Sequence, residues 1–347
     1  MLHSVPRRCS ICPRPAVGIN YGALSCDSCK MFFRRTVVLD LVYRCTREKM
    51  CFENLNENSR RPHCKLCRFH KCMKVGMFIK PSTLMSPKLW ERDTISTALK
   101  QLHYLNTKRT TLLMSKCSYG NPRLEDMVRR ENIALVSQDP NQPLKENDWR
   151  FIDIITTIEF LLNLDFMEEL DITDQMVLLR AFASKAILLF TAFSSMEKDY
   201  GQLMTPGGHE IVSEALLEKL EITQEMANSI KSRMIGGLSE LSVTEDELLL
   251  IIVIFFLDPV ITVPQPLSSM AVTYVASKRQ MYSQFLLEHC QLMQQDGWQK
   301  RLPELYVLCH TLNRNMREID KLNILAKLKY PTSICKKLYD DITMHRC

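Results

Sequence analysis

The sequence predicts a small α-rich, cysteine-rich module at residues 1–80, a partly helical hinge at 81–124 and an all-α domain at 125–347. Nine of the 14 cysteines lie within the first 80 residues. That stretch carries 16 Lys and Arg against 5 Asp and Glu, a net charge of +11, whereas the remainder carries −5. After Lys145 the apolar residues recur at helical spacing with little strand signal. A length of 347 residues is ample for two domains.

Eight of the N-terminal cysteines form two sets with the spacing of zinc ligands. The first set reads C-x2-C-x13-C-x2-C and consists of Cys9, Cys12, Cys26 and Cys29. The second reads C-x5-C-x12-C-x2-C and consists of Cys45, Cys51, Cys64 and Cys67. A C-x2-C turn brings two thiolates within reach of one tetrahedral Zn²⁺. Since residues 1–8 lack a signal peptide's apolar region, we expect two closed zinc sites in preference to disulfides, with Cys72 as a core residue.

Two helices are expected beside these metal sites. The first runs from Cys26 to about Val38, and its apolar side holds Cys29, Phe32, Phe33, Thr36 and Val37. Its other side is basic and polar, which suits the major groove of DNA, and it holds Asp27, Lys30, Met31, Arg34, Arg35 and Val38. The second helix begins at Cys64. Its apolar stripe is Leu66, Phe69 and Met73, with the cations elsewhere: Lys65, Arg68, Lys71 and Lys74.

The remaining chain predicts helices almost throughout. In the hinge, opened by Pro81-Ser82 and Ser86-Pro87, we expect a helix over 88–105 followed by a polar stretch at 107–116. A helix capped by Asn147 or Asp148 should run over 149–164, and a second one, capped by Thr173 or Asp174, is apolar all round and should form a central layer. Further helices are expected over 209–220, 223–236, 243–257, 267–295, 299–328 and 332–344. Gly236-Gly237 separates two of them, and 196–204 is a candidate hairpin.

Five motifs resemble one family. Tyr21–Arg35 and Cys67–Met77 resemble the first finger with its P-box and the end of the second finger of nuclear hormone receptors. Phe166–Ala181 is similar to the signature of their ligand-binding domain. Glu91–Ser96 and Phe255–Pro259 resemble the hepatocyte nuclear factor four branch, and in particular the large set of nematode receptors derived from it.

The resemblance implies a two-zinc DNA-binding domain followed by a three-layer helical sandwich with an internal apolar pocket. It implies a zinc-dependent, sequence-specific transcription factor in the nucleus, whose ligand shifts the population of a helix. The implied partners are double-stranded DNA, a lipophilic ligand such as a fatty acid, a coactivator or corepressor helix, and a second receptor in a homo- or heterodimer. A membrane is not among them, because the apolar run Leu248–Leu257 is too short to span one.

The family pattern also implies roles for particular residues. Lys30 and Arg35 would contact base edges, Arg34 would lie nearer the phosphates, and Asp27, Ser28 and Met31 occupy the discriminating P-box positions. A direct base contact by Asp27 stays open. The candidate pocket walls are Ile155, Ile158, Phe160, Ala186 and Leu189. The coactivator groove would be bordered by Arg180 and by Asp341, with Leu338, Tyr339 and Ile342 as the apolar face of the last helix.

The chain departs from the family pattern in three places, which leaves alternatives open. The gap between Cys51 and Cys64, next to the dimerisation box, is longer than usual. Leu162 replaces a lysine of the coactivator clamp and the last helix matches loosely, so we expect modest or conditional coactivator recruitment. One rival is a constitutive or repressing DNA-binding factor whose helical domain only dimerises. Another is a zinc module for RNA or protein, although the basic face lacks the aromatic residues that stack on RNA bases. Since no catalytic motif is present, an enzyme is not expected.

Overall fold

The computed structural model describes residues 8–38, 41, 43–45, 47, 51–52, 62–78, 95–115, 117–130, 135–137, 144–258, 266–293, 297–330 and 336–343. Three regions named above lie outside these residues: the proline-containing start of the hinge at Pro81–Pro87, the loop 53–61 and most of the motif Glu91–Ser96. The chain forms two compact units, one comprising Met1–Arg92 with Thr110–Ser115 and the other Asp93–Arg109 with Lys116–Cys347. The division at 80 and 124 stays a prediction.

The first unit is built on a hairpin and two helices. Strands β1 (Gly18–Asn20) and β2 (Ala23–Ser25) pair antiparallel, with Gly18 opposite Ser25. The turn between them has positive φ at Tyr21 and Gly22, as a tight two-residue hairpin loop requires. A Cβ at Gly22 would lie 2.9 Å from the carbonyl oxygen of Gly76, so this position also needs glycine for a close backbone approach.

Helices α1 (Asp27–Val38) and α2 (Lys65–Lys74) contact each other. The predicted division of α1 is confirmed, because Cys29, Phe32, Phe33 and Thr36 are buried. Asp27, Met31, Arg34 and Arg35 are exposed, and Ser28 and Lys30 are half-buried. Helix α2 begins after Cys64, whose Sγ accepts a hydrogen bond from the Cys67 amide at 3.5 Å. The zinc ligands therefore also set where α2 starts.

The second unit is mainly helical. Its short strands β3 (Cys117–Tyr119) and β4 (Leu135–Ser137) pair antiparallel, and a 3-10 turn spans Asp165–Glu169. The α-helices, in chain order, are α3 (Ile95–Met114), α4 (Leu124–Arg129), α5 (Glu146–Leu162), α6 (Ile172–Glu197), α7 (Glu214–Lys219), α8 (Gln224–Glu240), α9 (Glu245–Phe256), α10 (Ser269–Met293), α11 (Trp298–Lys329) and α12 (Lys337–Thr343). Helix α3 begins in this unit, and its residues from Thr110 onward are assigned to the first unit.

Helix α6 is central to the helical unit, as predicted, because it contacts six other helices: α4, α5, α8, α9, α11 and α12. By length and composition α6 is apolar enough to cross a membrane, but 67% of its most apolar window is buried inside the protein. Its apolar surface is therefore covered by other helices, which is typical of a core helix.

Several expected boundaries were wrong. Helix α5 starts directly after Lys145, and Asp148 sits inside its first turn, where its carboxylate accepts the Lys145 amide at 3.0 Å. Helix α6 starts after Asp171. In place of a hairpin over 196–204 there is an isolated bridge between Met204 and Glu210, and the helix expected over 209–220 spans only Glu214–Lys219.

Two glycines expected to end a helix lie inside one. Gly236 and Gly237 are part of α8 because α8 packs closely on α11. A Cβ at Gly237 would lie 3.4 Å from Thr311 and 3.5 Å from Leu308 on that helix. Close packing thus offsets the low helix propensity of glycine, which costs about 1 kcal/mol in an open helix.

The expected polar break after Leu105 is helical as well, because Arg109 has a buried partner. Its Nη1 lies 3.3 Å from Asp153 Oδ1 on α5, and its guanidinium stacks 3.8 Å from the ring centre of Phe190 on α6. Burial raises the pKa of the Asp153 carboxyl, and the charge of Arg109 opposes that rise. Asn106 extends the network by donating to Glu245 at 2.7 Å. The part of the chain expected as hinge therefore belongs partly to the helical unit.

A second buried ion pair ties the start of α9 to α11. Arg301 donates to both carboxylate oxygens of Glu247, each at 2.7 Å, and to the carbonyl oxygen of Leu241 at 2.6 Å. Burial disfavours the charge of Glu247, but the Arg301 bonds and the Thr244 amide outweigh it and lower the pKa of Glu247 below its ordinary 4.5. A bidentate pair of this kind fixes both orientation and distance.

We expect Glu247→Gln to lower the free energy of unfolding by on the order of 3 kcal/mol at pH 7, since it leaves Arg301 buried without its countercharge. Because the folded pKa is lowered, the stabilisation is present above the unfolded pKa and is lost as the pH falls through the folded one. Thermal melting of the full chain from pH 7 to pH 4 should show the difference from wild type shrinking. Glu221, an exposed glutamate that pairs with Lys329 at 3.2 Å, is the control when changed to Gln. An equal loss of stability in that variant would contradict the role of Glu247.

Candidate metal centres, nucleic-acid interface and ligand cavity

The first cysteine set converges on one point. The Sγ atoms of Cys9, Cys12, Cys26 and Cys29 all lie within 4.8 Å of one another, and those of Cys26 and Cys29 are each 3.6 Å from that of Cys12. With Zn–S bonds of about 2.3 Å, the ligands of a tetrahedral zinc site lie about 3.8 Å apart, whereas a disulfide needs about 2.05 Å. The cluster therefore has the dimensions of a zinc site.

The second set has the same geometry. Cys45 Sγ lies 3.8 Å from Cys51 Sγ and 3.6 Å from Cys67 Sγ, and Cys64 completes the group. Each cluster consists of four cysteines. Four thiolates close a tetrahedral shell and leave no position for water or substrate, so both sites are structural in character. The predicted grouping of the eight cysteines into two sets of four zinc ligands is confirmed.

Arg68 links the two metal sites, a role that the helical projection missed. It was expected on the polar side of α2, but it is only 8% exposed. Its Nη2 donates to Cys29 Sγ at 3.2 Å and to Ser28 Oγ at 3.0 Å, and its guanidinium lies 4.4 Å from the ring centre of Phe32. A hydrogen bond to a ligating sulfur orients that ligand and compensates its charge. Arg68 thus couples α2 to the first metal site.

The ninth cysteine stays outside both clusters, as predicted. Cys72 is fully buried in the core of the module. Burial raises the pKa of its thiol to about 12, so it remains protonated near neutral pH. A buried protonated thiol acts as a small apolar residue.

The helical unit contains a cavity of about 270 Å³ between α5, α6, α8, α11 and α12. Pockets for small molecules range from about 300 to 1,000 Å³, so this one is at the small end. Its walls are mostly apolar and include Trp149, Ile154, Leu188, Leu203, Ile230 and Met316. Helix α12 closes one side with Tyr339, Ile342 and Thr343.

The expected wall residues do not line this cavity. Ile155, Ile158, Phe160, Ala186 and Leu189 are all buried, but they pack into the core. Other residues of the same two helices line the cavity. Arg150, Asp153 and Ile154 of α5, and Ser184, Ile187, Leu188 and Thr191 of α6, face the cavity instead. Since both helices are apolar on nearly every side, periodicity could not tell core from cavity.

Three charged residues line the cavity beside the apolar walls: Arg150, Asp153 and Asp320. Asp153 is already neutralised by Arg109 and accepts a hydrogen bond from Thr191 at 3.2 Å. Arg150 pairs with Glu146 one turn earlier and donates to the carbonyl oxygen of Ile211. The Arg150 guanidinium thus lies at the cavity wall as one partner of an ion pair with Glu146, a feature that sequence reasoning did not single out.

The residues expected to border the coactivator groove lie on helices that contact each other. Arg180 is half-buried on α6, and Asp341 is half-buried on α12, which packs on α6. Leu338 and Ile342 of α12 are buried as predicted. Asp341 Oδ2 accepts a hydrogen bond from the Leu124 amide at 2.9 Å, so in this structure the carboxylate holds the chain's own α4.

The first unit has two closed thiolate sites beside a basic helix, and the second is a helical domain with a cavity. Together they define a receptor-type DNA-binding protein. Residues 7–79 match the C4-type double treble clef zinc finger, and residues 146–329 match the ligand-binding domain of nuclear hormone receptors. The chain belongs to the nuclear hormone receptor family, whose members are transcription factors and not enzymes.

Two relatives from Caenorhabditis elegans are similar over nearly the whole chain. Nuclear hormone receptor family member nhr-51 is 28% identical over 336 residues, which cover 96% of this chain and 89% of the relative. Family member nhr-167 is 29% identical over 342 residues, which cover 98% of each chain. The similarity thus includes both the zinc module and the helical domain.

The full chain should bind two zinc ions, because the small module has little core without them. We expect Cys12→Ser and Cys67→Ser each to reduce the metal content to one ion per chain and to abolish duplex binding. Cys72→Ala, a change of the same size outside the clusters, should keep both ions. Zinc measured by mass spectrometry of digested protein decides this, and two ions in a Cys12→Ser chain would show that the ligands are misassigned.

Proposed function

We propose that the protein acts in the nucleus, reads a short DNA half-site with α1, and is controlled by a lipophilic ligand bound in the cavity that α12 closes. The observation that carries the DNA part is the exposed basic face of α1, opposite the buried Phe32 and Phe33. Protein-to-DNA specificity requires side chains that reach base edges, and an exposed helix on a rigid module offers them to the major groove.

The family pattern assigns two kinds of DNA contact to α1. Lys30 and Arg35 would reach guanine edges, and Arg34 would reach phosphates. Met31 is 46% exposed and can contact a base through apolar atoms. Ser28 Oγ accepts a hydrogen bond from Arg68 Nη2 at 3.0 Å. Of the three P-box residues, Asp27 and Met31 therefore have more freedom to contact bases and to distinguish one half-site from another.

The cavity supports control by a ligand that is mostly apolar with one acidic end. Its apolar walls suit a hydrocarbon chain, and Arg150 supplies a cation for a carboxylate. A fatty acid has this chemistry. Because α12 contributes Tyr339 and Ile342 to the same cavity, a bound ligand would contact the helix that borders the coregulator groove.

One observation favours a role of the helical domain in dimerisation. Helix α11 exposes apolar side chains: Val307 is 59% exposed and Leu328 is 74% exposed, with Ile324 and Leu325 at 41%. Exposed apolar residues along one helix are typical of a subunit interface. Dimerisation and ligand binding are compatible, since these residues and the cavity walls are different sets. A homo- or heterodimer with another receptor is therefore part of the proposal.

We expect Lys30→Ala and Arg35→Ala each to weaken binding to the selected site by about 1–3 kcal/mol and to relax its sequence preference. Arg34→Ala should weaken selected and random duplexes alike and lower the salt slope by about 1. Selection from random duplex DNA, followed by anisotropy at several salt concentrations, measures both. Equal effects of all three changes on both duplexes would refute the base contacts, and stronger binding to single-stranded RNA would favour the RNA rival.

We expect purified full chain to carry a fatty acid or to gain thermal stability when one is added. Arg150→Met removes the carboxylate partner and should reduce fatty-acid binding at least tenfold. Arg129→Met is the matched control, because both arginines pair with a glutamate one turn earlier. Native mass spectrometry and thermal shift are the measurements. If the purified wild-type protein carries no lipid, and no added lipid raises its melting temperature, the ligand-independent rival is favoured.

A further inference from the structure

Helix α4 is amphipathic and docked by its apolar face. Leu124 and Met127 are fully buried and Val128 is 8% exposed, which places buried residues at i, i+3 and i+4. Glu125 and Arg129 lie on the opposite, exposed face and pair with each other at 2.8 Å. This spacing is the one with which a peptide helix fills a groove on a partner protein.

The N-terminal end of α4 is held by the last helix. The first amide groups of a helix have no partner within it, and a carboxylate is favourable there. Asp341 of α12 fills this role by accepting from the Leu124 amide at 2.9 Å. In return, Asn121 accepts from the Lys337 amide at the start of α12, also at 2.9 Å. Helix α12 therefore caps α4, and the segment just before α4 caps α12.

The C-terminal end of α4 is held by the end of α5. Arg130 directly follows α4 in the left-handed conformation, and its Nη2 donates to Asn163 Oδ1 at 3.3 Å. Asn163 directly follows Leu162, which stands where the family has a lysine of the coactivator clamp. Helix α4 contacts α5, α6 and α12, and α6 and α12 carry Arg180 and Asp341. It thus lies among the three helices that would border the coregulator groove.

We propose that α4 occupies the coregulator groove in cis and that a partner helix binds only by displacing it. The partner would be an amphipathic peptide helix with apolar residues at i, i+3 and i+4, and Asp341 would cap its first turn in place of that of α4. The inference rests on the proposal that this groove recruits a coregulator. It explains conditional recruitment physically, because a tethered segment competes at an effective concentration on the order of millimolar.

The first test uses the chain's own segment as the probe. A labelled peptide of residues 121–130 is titrated into full-length wild type and into a chain carrying Met127→Ser and Val128→Ser, which weakens the docked face. We expect the substituted chain to bind the peptide at least tenfold more tightly than wild type. The matched control carries Glu125→Ser and Arg129→Ser on the exposed face and should bind as wild type does. Adding Asp341→Ala to the chain with Met127→Ser and Val128→Ser should weaken its peptide binding again.

A second measurement does not depend on the substituted chain folding. Hydrogen exchange of wild type is followed at Leu124–Arg130 while an excess of the peptide is added. Faster exchange of these amides supports displacement. Suppose that wild type and the chain with Met127→Ser and Val128→Ser bind the peptide equally, or that peptide binding leaves this exchange unchanged. The groove is then open, so the proposal that α4 occupies it is wrong, while the proposal of coregulator recruitment stands. If neither chain binds and the amides stay protected, both proposals fail, and α4 is a permanent part of the core.

Discussion

The central helix α6 must bury most of its apolar surface, and the helical domain is arranged around that constraint. Burial of apolar surface contributes about 25 cal/mol per Å², so a 26-residue helix with a long apolar stretch needs cover from several other helices. Helices α5, α8, α9, α11 and α12 supply that cover. The cavity lies where this cover is incomplete, along Ser184, Leu188 and Thr191. A candidate ligand site is thus a local gap in the packing around one helix.

The zinc module meets the opposite problem, because its core is too small to stabilise it alone. A domain this short buries too little apolar surface to offset the loss of chain entropy, and metal ligation supplies the difference. The two thiolate sets also position α1 and α2, since Cys29 lies within α1 and Cys64 begins α2. Arg68 then joins α2 to Cys29 of the other site. The direction of the basic face of α1 therefore depends on both metal centres.

Helix α12 connects the two candidate sites of the helical domain. One set of its residues, Tyr339 and Ile342, borders the cavity, and Asp341 holds α4. A ligand that orders α12 would strengthen its hold on α4 or on a partner helix in the same place. A partner that displaces α4 would also remove the Asn121 cap of α12. Cavity and groove thus act on the same seven-residue helix, which is the kind of shared element that coupling between sites requires.

The sequence by itself determined the eight zinc ligands, the two faces of α1 and the central place of α6. Each depends on short spacing: the C-x2-C turns, the helical repeat and an unbroken apolar pattern. Tertiary structure decided which faces of α5 and α6 line the cavity, because a helix that is apolar all round carries no phase signal. It also decided the partners of Arg68, Arg109 and Asp341, which lie 39, 44 and 217 residues away in the chain. Such contacts depend on how the helices pack, and local periodicity does not report packing.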